Sequence, residues 1–457
     1  MVSDLRGGAA GPLSRAPGAR HRSQREASAA RHGQLRRPNP LLTVTRFLAA
    51  TLAVLLVSGG SLIAITLAQL DGNIDSVALV GERDKPVEEH ELGSFDGGFN
   101  LLIVGSDRCD DPNGCPGRDA ELNDVTMLLH VYEDQRNAVA VSIPRDLVVP
   151  FPSCPREDGP GSYPAMSAVP INNSLSYGGL ACTVLTVEEL TGLDIPYAGL
   201  ISFNGVISMS NAIGGVDVCI DGPIIDPLAN YLNLPKAGTY TLQGEQALGF
   251  LRTRYGVGDG SDLGRISSQQ VFLSSLVRKI KDDSTLTDFS KLFGLATAAT
   301  SNMTLSNSLK PLTTMASMAL VLKDIPLENI VFVQYPGATE QGGIYYNKVA
   351  PIPEQADALF AKLAADEPFA LASGTGRGSV ADPDLPVPVV PGALEPNAPG
   401  AENPAVPGAE LGVDPGVTME SVDPSGVPVP AAPAGPEVLD GVLGQTAADQ
   451  TCSKSNN

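Results

Sequence analysis

The chain has 457 residues, 43% of them hydrophobic, and a formal net charge of -21, enough apolar material for one or two domains with a substantial core. Its N-terminus is the exception to the acidity, since Met1 to Arg46 holds nine Arg against Asp4 and Glu26. A strongly acidic remainder with no basic stripe and no interleaved aromatics excludes nucleic acid as a partner.

Phe47 to Leu70 contains no charged residue, and about 20 apolar residues suffice to span a bilayer as a helix. The Arg excess before it, with Asp71 and Asp75 after it, predicts one membrane pass with the N-terminus in the cytoplasm and everything after Leu70 outside. A cleaved signal peptide is the competing reading. Its apolar core is usually about 7 to 15 residues and ends at a small-residue site, which Ala64 and Ala68 do not make, so an uncleaved anchor is favoured.

Beyond the span, FNLLIVGS (Phe99 to Ser106), VTMLLHVY (Val125 to Tyr132) and NAVAVSI (Asn137 to Ile143) are short apolar runs bounded by turn residues, the pattern of buried strands. Helices are predicted at Ala181 to Thr191, Phe203 to Ile213, Gly244 to Arg252, Leu263 to Asp282, Ser308 to Leu322 and Pro353 to Ala365. Strands at Tyr197 to Ile201, Val216 to Ile220 and Ile330 to Gln334 are interspersed. Such alternation predicts an α/β domain, a mixed sheet with helices on both faces. Between Val380 and Glu437 stand fourteen prolines, a composition that buries too little apolar surface to offset chain entropy. The expected organisation is therefore a basic tail (1–46), the membrane helix (47–70), a linker (71–93), one domain (94–366) and a disordered acidic tail (367–457).

Six cysteines in an extracytoplasmic chain favour disulfides. Cys109 and Cys115 bracket DDPNG and can close a short loop, and Cys182 with Cys219 is a candidate core pair, but spacing does not fix the connectivity. No C-x2-C pair supports a metal site.

The most informative pattern is DLGRISSQQVFLSSLVRKI. Asp262, Arg265, Gln269, Leu273, Leu276 and Ile280 recur every three or four residues, forming one helical stripe that is polar at the start and apolar beyond. If the apolar residues face the core, the polar ones do too and need charged partners; the plainer alternative is an exposed Asp–Arg pair one turn apart. Arg252 and Arg254 in FLRTRYG point the same way if the chain is extended and diverge on a helix. With Arg265 they make a guanidinium cluster suited to phosphate oxygens. Asp107 follows the first strand and Asp124 precedes the second, where carboxylates can hold Mg2+, although each alone is commonly a turn residue. Arg145 and Asp146 follow the third strand. Gly256, Gly258 and Gly260 suggest a flexible loop, and His130 a core residue. Serine-hydrolase, zinc-protease and P-loop motifs are absent.

In order, NLLIVGSD, NDVTMLLHV, VAVSIPRDL, PINNSLSYGG, GGVDVCID, LQGEQALGFLRTR and DLGRISSQQVFL resemble the successive blocks of the LytR-CpsA-Psr family over roughly Phe99 to Asp282. The resemblance implies an α/β/α sandwich that binds a polyprenyl pyrophosphate in an apolar groove and transfers its phosphoglycosyl unit to a peptidoglycan hydroxyl. It implies Asp107 and Asp124 as Mg2+ ligands, and Arg145, Asn172, Arg252, Arg254, Asp262, Arg265 and Gln269 as the pyrophosphate site. Asp124, Arg145 and Arg265 are the implied catalytic residues. Two positions depart from the blocks, Leu122 and Ser268, where the family often carries Arg, and CDDPNGCPGRDAE separates Asp107 from Asp124. Hydrolysis of an isoprenoid pyrophosphate and non-catalytic glycan binding are the alternative functions.

Overall fold

The computed structural model describes residues 74–82, 90, 93–108, 121–156, 159–282, 289–371, 375–382 and 436–456, with a helical stretch at 48–54 and isolated residues among the first 72. The chain divides into Met1–Ala64 and Ile65–Asn457, and the second unit holds every element named below. The expected span at 47–70 lies largely outside the described residues, and no helix among the described residues is long and apolar enough to cross a membrane. Cys109 and Cys115 also lie outside them.

The strands that build the two sheets are β1 (Asp75–Val77), β2 (Phe99–Ser106), β3 (Asn123–Val131), β4 (Ala138–Ile143), β5 (Tyr197–Ser202), β6 (Val216–Ile220), β7 (Gly238–Leu242), β8 (Met303–Ser306), β9 (Ile330–Gln334), β10 (Ser379–Ala381), β11 (Gly444–Thr446) and β12 (Thr451–Ser453). The main sheet has eight strands in the order β1, β8, β5, β2, β3, β4, β9, β11. It is mixed: β5 runs parallel to β2 and β9 to β4, while β3 is antiparallel to both neighbours. A second, four-stranded sheet has the order β7, β6, β12, β10.

The helices are α1 (Ser174–Thr191), α2 (Phe203–Ala212), α3 (Glu245–Arg252), α4 (Asp262–Lys281), α5 (Phe289–Asn302), α6 (Leu312–Asp324) and α7 (Pro353–Ala364). Period-two alternation sends Leu102, Val104, Leu128, Val139 and Val141 to one face of the main sheet, where α1 and α7 cover them. Met127, Val131, Ala138, Ala140 and Phe332 go to the other face, where Leu273 and Val277 of α4 and Met318 of α6 meet them. This is the predicted sheet between two helical layers. A third cluster, built on Val216, Val218, Ile220, Phe250 and Phe272, fills the space between α4 and the second sheet. So α4 is gripped from two sides, and every residue from Asp262 to Phe272 is buried.

The tail expected beyond residue 366 is corrected for its described parts. β11 extends the main sheet beside β9, and β12 sits between β6 and β10. The proline-rich composition stops at Pro436, and VLDGVLGQTAADQTCSKS after it carries β-branched and apolar residues able to pair. The cysteine pairing is corrected with it: Cys182 bonds Cys154, and Cys219 bonds Cys452 across the β6–β12 ladder. Gly256 to Gly260 is likewise a fixed turn. Gly258 and Gly260 adopt φ of 57° and 75°, and a Cβ on Gly258 would come within 3.1 Å of the Gly264 Cα. α5 and β8 had no counterpart in the sequence prediction.

Candidate active site

The site forms where the ends of β2, β3 and β4 meet the start of α4. A register shift sets Gly105 opposite Val125 but Ser106 opposite Asn123, so Asp124 is the extra residue of a β-bulge. Bulges re-aim a side chain next to a site, and here Asn123 and Asp124 are both buried in succession. Ser261 caps α4 by accepting from the Gly264 N–H at 3.1 Å, which starts the helix at Asp262.

Asp262 is the hub. Its Oδ1 meets Arg265 Nη2 at 2.7 Å and Arg254 Nη2 at 2.9 Å, and its Oδ2 accepts from the Arg145 backbone N–H at 3.0 Å. Arg265 also donates to the Asp124 carbonyl at 2.9 Å, and Arg145 pairs with the Asp124 carboxylate through Nη1. Arg254 reaches on to Asp146 Oδ2 at 3.0 Å, and Lys348 Nζ lies 3.5 Å from Asp146 Oδ1. Three guanidinium groups and three carboxylates thus interlock, with Arg265 and Asp262 each only 4% exposed.

Burial pulls the Arg265 guanidinium below its ordinary pKa, with Asp262 opposing. Burial also works against the charge on Arg254 and Asp146, but there ion pairing wins: Asp262 and Asp146 hold Arg254 above its ordinary value, and Arg254 and Arg145 hold Asp146 below its own. The Nε atoms of Arg145 and Arg265 are buried without a hydrogen-bond partner. Buried polar atoms are nearly always satisfied; the Arg145 Nε faces the Asp146 Oδ1 at 3.8 Å, beyond hydrogen-bond reach.

Beside this network opens an apolar cavity of about 150 Å³, lined by Ile103, Val125, Met127, Phe203, Leu248, Leu251 and Leu273, with Asp124, Arg252, Arg265 and Gln269 also in its wall. Gln269 is held by donating to the Leu251 carbonyl at 2.7 Å.

The expected residues fall into three groups. Asp124, Arg145, Arg254, Asp262 and Arg265 form the interlocked network. Arg252 and Gln269 join Arg265 at the cavity. Arg252 closes α3 and Arg254 lies beyond it, so the two diverge: Arg252 stacks 4.3 Å over the Phe203 ring and donates to Asn230. Asn172 reaches Arg145 through its backbone, its N–H donating to the Arg145 carbonyl at 3.1 Å. Asp107 stands past the end of β2, its carboxylate accepting the Leu122 N–H at 2.8 Å. Lys348 and Phe203 were not anticipated; Lys348 comes from a distant loop, and no local spacing announces it.

Residues 68–361 match the LytR_cpsA_psr family. The chain is 29% identical over 331 residues to the cell wall biosynthesis protein LcpA of Corynebacterium glutamicum, covering 65% of this chain and 61% of LcpA. It is 32% identical to the probable cell wall biosynthesis protein LcpB of the same organism, over 45% of this chain and 48% of LcpB. The chain therefore spans about half to three fifths of the length of these two relatives. It is 26% identical to the polyisoprenyl-teichoic acid–peptidoglycan teichoic acid transferase TagT of Bacillus subtilis, over 66% of this chain and 89% of TagT. Among solved structures, the LytR-Csp2A-Psr enzyme from Actinomyces oris aligns with a TM-score of 0.46 and 20% identity, over 64% of this chain and 95% of that one. With the family match running through every site residue above, this chain belongs to the LytR-CpsA-Psr family.

Proposed function

We propose that this protein transfers a glycopolymer phosphate unit from a polyprenyl-pyrophosphate donor to a peptidoglycan hydroxyl. The observation that carries the reading is the interlocked Arg and Asp network set beside an apolar cavity, with Asp124 and Arg265 common to both. That juxtaposition suits one ligand chemistry, a pyrophosphate joined to a hydrocarbon chain. The relative TagT is named for such a transfer.

The acceptor hydroxyl oxygen attacks the phosphorus nearer the glycan, the bond from that phosphorus to the bridging oxygen breaks, and polyprenyl phosphate leaves with the electron pair. Arg145, Arg254 and Arg265 stabilise charge on the phosphoryl oxygens, since positioning and electrostatics dominate this class of reaction. Asp124 takes the hydroxyl proton. Fixed by ion pairs, the arginines need little reorganisation as that charge develops.

Mg2+ suits the donor set, because it is commonly held by one or two carboxylates with phosphate oxygens and water completing its shell. Asp107 and Asp124 would hold it, at adjoining ends of β2 and β3. It would neutralise charge on the pyrophosphate. Anchoring through 47–70, with the N-terminus cytoplasmic and the domain outside the bacterial membrane, would keep the site beside a lipid-borne donor. The flanking charges and the two disulfides support that placement.

The test is reconstitution with lipid-linked glycan, Mg2+ and peptidoglycan fragments, with mass analysis of products. A phosphodiester-linked glycan on peptidoglycan is the expected result. Free glycan phosphate with acceptor in excess would assign the protein as a hydrolase, and an intact bound donor would make it a carrier.

A further inference from the structure

Residues 436–456 lie outside the family-matched range of 68–361, yet from Gly444 onward they run along the helix that builds the site. Arg278 of α4 donates to the carbonyls of Ala447 and Asp449 at 2.8 and 3.0 Å. One turn nearer the site, Gln445 donates to Ser274 Oγ at 2.8 Å, and Ser268 and Ser453 share a hydroxyl hydrogen bond at 2.7 Å. The segment then passes to the turn joining Arg254 to Asp262: the Gly258 N–H donates to the Lys454 carbonyl at 2.9 Å, and the Asn456 N–H to the Gly256 carbonyl at 3.1 Å. Asn456 Nδ2 adds a bond to the Tyr255 carbonyl at 3.0 Å.

This arrangement accounts for the composition of α4. Ser267, Ser268, Ser274 and Ser275 are all buried, an unusual density of hydroxyls inside a helix interface. Two of them meet the C-terminal segment directly. Ser268 stands where the resembling blocks often carry Arg, and both it and Ser453 are fully buried, leaving no room for a guanidinium there. The departure at this position and the added strand are complementary.

We propose that residues 436–456 are a positioning strap of this chain, clamped by Cys219–Cys452, that holds α4 and the 253–261 turn so that Arg254, Asp262 and Arg265 face Arg145. Its activity arm rests on the proposed transfer; its structural arm does not. Toward the site, the hydrogen bonds of the strap go to the serine face of α4 and to the 253–261 turn. Its effect passes through the backbone that carries Arg254 and the first turn of α4.

The experiment uses the full chain with a protease site inserted within residues 391–430 and cut after purification. Cut protein with the disulfide intact is expected to keep wild-type amide-exchange protection at 253–268 and wild-type turnover. In the cut Cys219→Ser/Cys452→Ser protein, passed through a sizing column to remove 436–457, protection at 253–268 should fall at least tenfold while 99–106 and 123–143 stay protected. Donor KM should rise about tenfold, and a synthetic 436–457 peptide should restore both. An uncut Ser453→Arg chain, which forces a large side chain against Ser268, should loosen the same residues even if the cut segment resists separation. Unchanged protection at 253–268 in the stripped and Ser453→Arg proteins overturns the strap, as does loss spread equally over both sheets. Absence of transfer by the intact protein would fault the proposed function and leave the exchange arm to decide the strap.

Discussion

Replacing Arg265 with Ala tests whether the interlocked network holds the fold as well as the substrate. The side chain is 4% exposed and meets Asp262 at 2.7 Å and the Asp124 carbonyl at 2.9 Å. Removing one member of a buried ion pair costs about 3–5 kcal/mol, because the other charge is left uncompensated. Asp262 keeps Arg254 at 2.9 Å and the Arg145 N–H at 3.0 Å, so the loss should fall near the lower end, about 3 kcal/mol. In a domain of this size each kcal/mol shifts Tm by about 2–4 °C, giving a fall of roughly 6–12 °C. Asp262→Ala strands two arginines at once and should cost nearer about 5 kcal/mol. The double variant should recover about 1.5–3 kcal/mol of the summed losses, since contacting residues do not add. Arg265→Lys keeps the charge without the planar fork; it should restore most of the stability yet bind polyprenyl pyrophosphate about tenfold more weakly, the loss of one charge-assisted hydrogen bond. Thermal unfolding of the four proteins, with donor affinity measured on the folded ones, supplies the readouts. Additive losses, or Arg265→Ala melting with the wild type, would refute the reasoning.

Filling the cavity with Leu248→Trp should raise KM for long prenyl donors while sparing short-chain analogues, because each buried methylene contributes about 0.8 kcal/mol; equal effects on both would detach the cavity from the lipid. His130 is pulled below its ordinary value of 6.5 by burial, against the opposing Asp366 carboxylate. The unfolded chain therefore takes the proton first, so stability is full above about pH 6.5 and falls as pH drops toward the lower folded value. His130→Gln should flatten that decline in urea midpoints measured from pH 7.5 to 5.0, and an unchanged slope would count against it. Asp146, held below its ordinary value by Arg254 and Arg145 against burial, contributes stability present above about pH 4 and lost as pH falls through its folded value; Asp146→Asn should remove that acid step. Removing Cys154–Cys182, which closes a separation of 28 residues, should cost about 3–4 kcal/mol by loop entropy, measured by chemical denaturation of the paired Ser variant.

The legible parts of the fold were those with a local period. β2, β4, β6 and β9 are found within a residue of their apolar runs, because alternation and turn residues act within a few positions. The α4 stripe correctly turned Asp262, Arg265 and Gln269 inward, but it implied one buried face where the structure buries the whole first half of the helix. A second sheet grips the opposite side, and that sheet needs β12, whose Ser453 is 185 residues away from the Ser268 it covers. The bulge at Asp124 was invisible for a related reason: a register shift is a property of two strands together. It also moved the start of β3 two residues earlier than the apolar run suggested. The disulfide partners and Lys348 belong to the same class, being set by tertiary proximity that no spacing encodes. A composition average over 367–457 concealed a pairing segment at its end.

Protein chains emerge from the ribosome N-terminus first, and this topology sets an order on what can mature during synthesis. Cys154 and Cys182 are neighbours in time, able to join as soon as α1 has formed. Cys219 must wait for a partner 233 residues later, and through that interval β6 has only β7 beside it and α4 has its serine face uncovered. The helix that carries Asp262 and Arg265 is thus completed by residues made long after it, so a chain halted between Gln334 and Glu437 holds seven of the eight main-sheet strands and leaves the serine face of that helix uncovered.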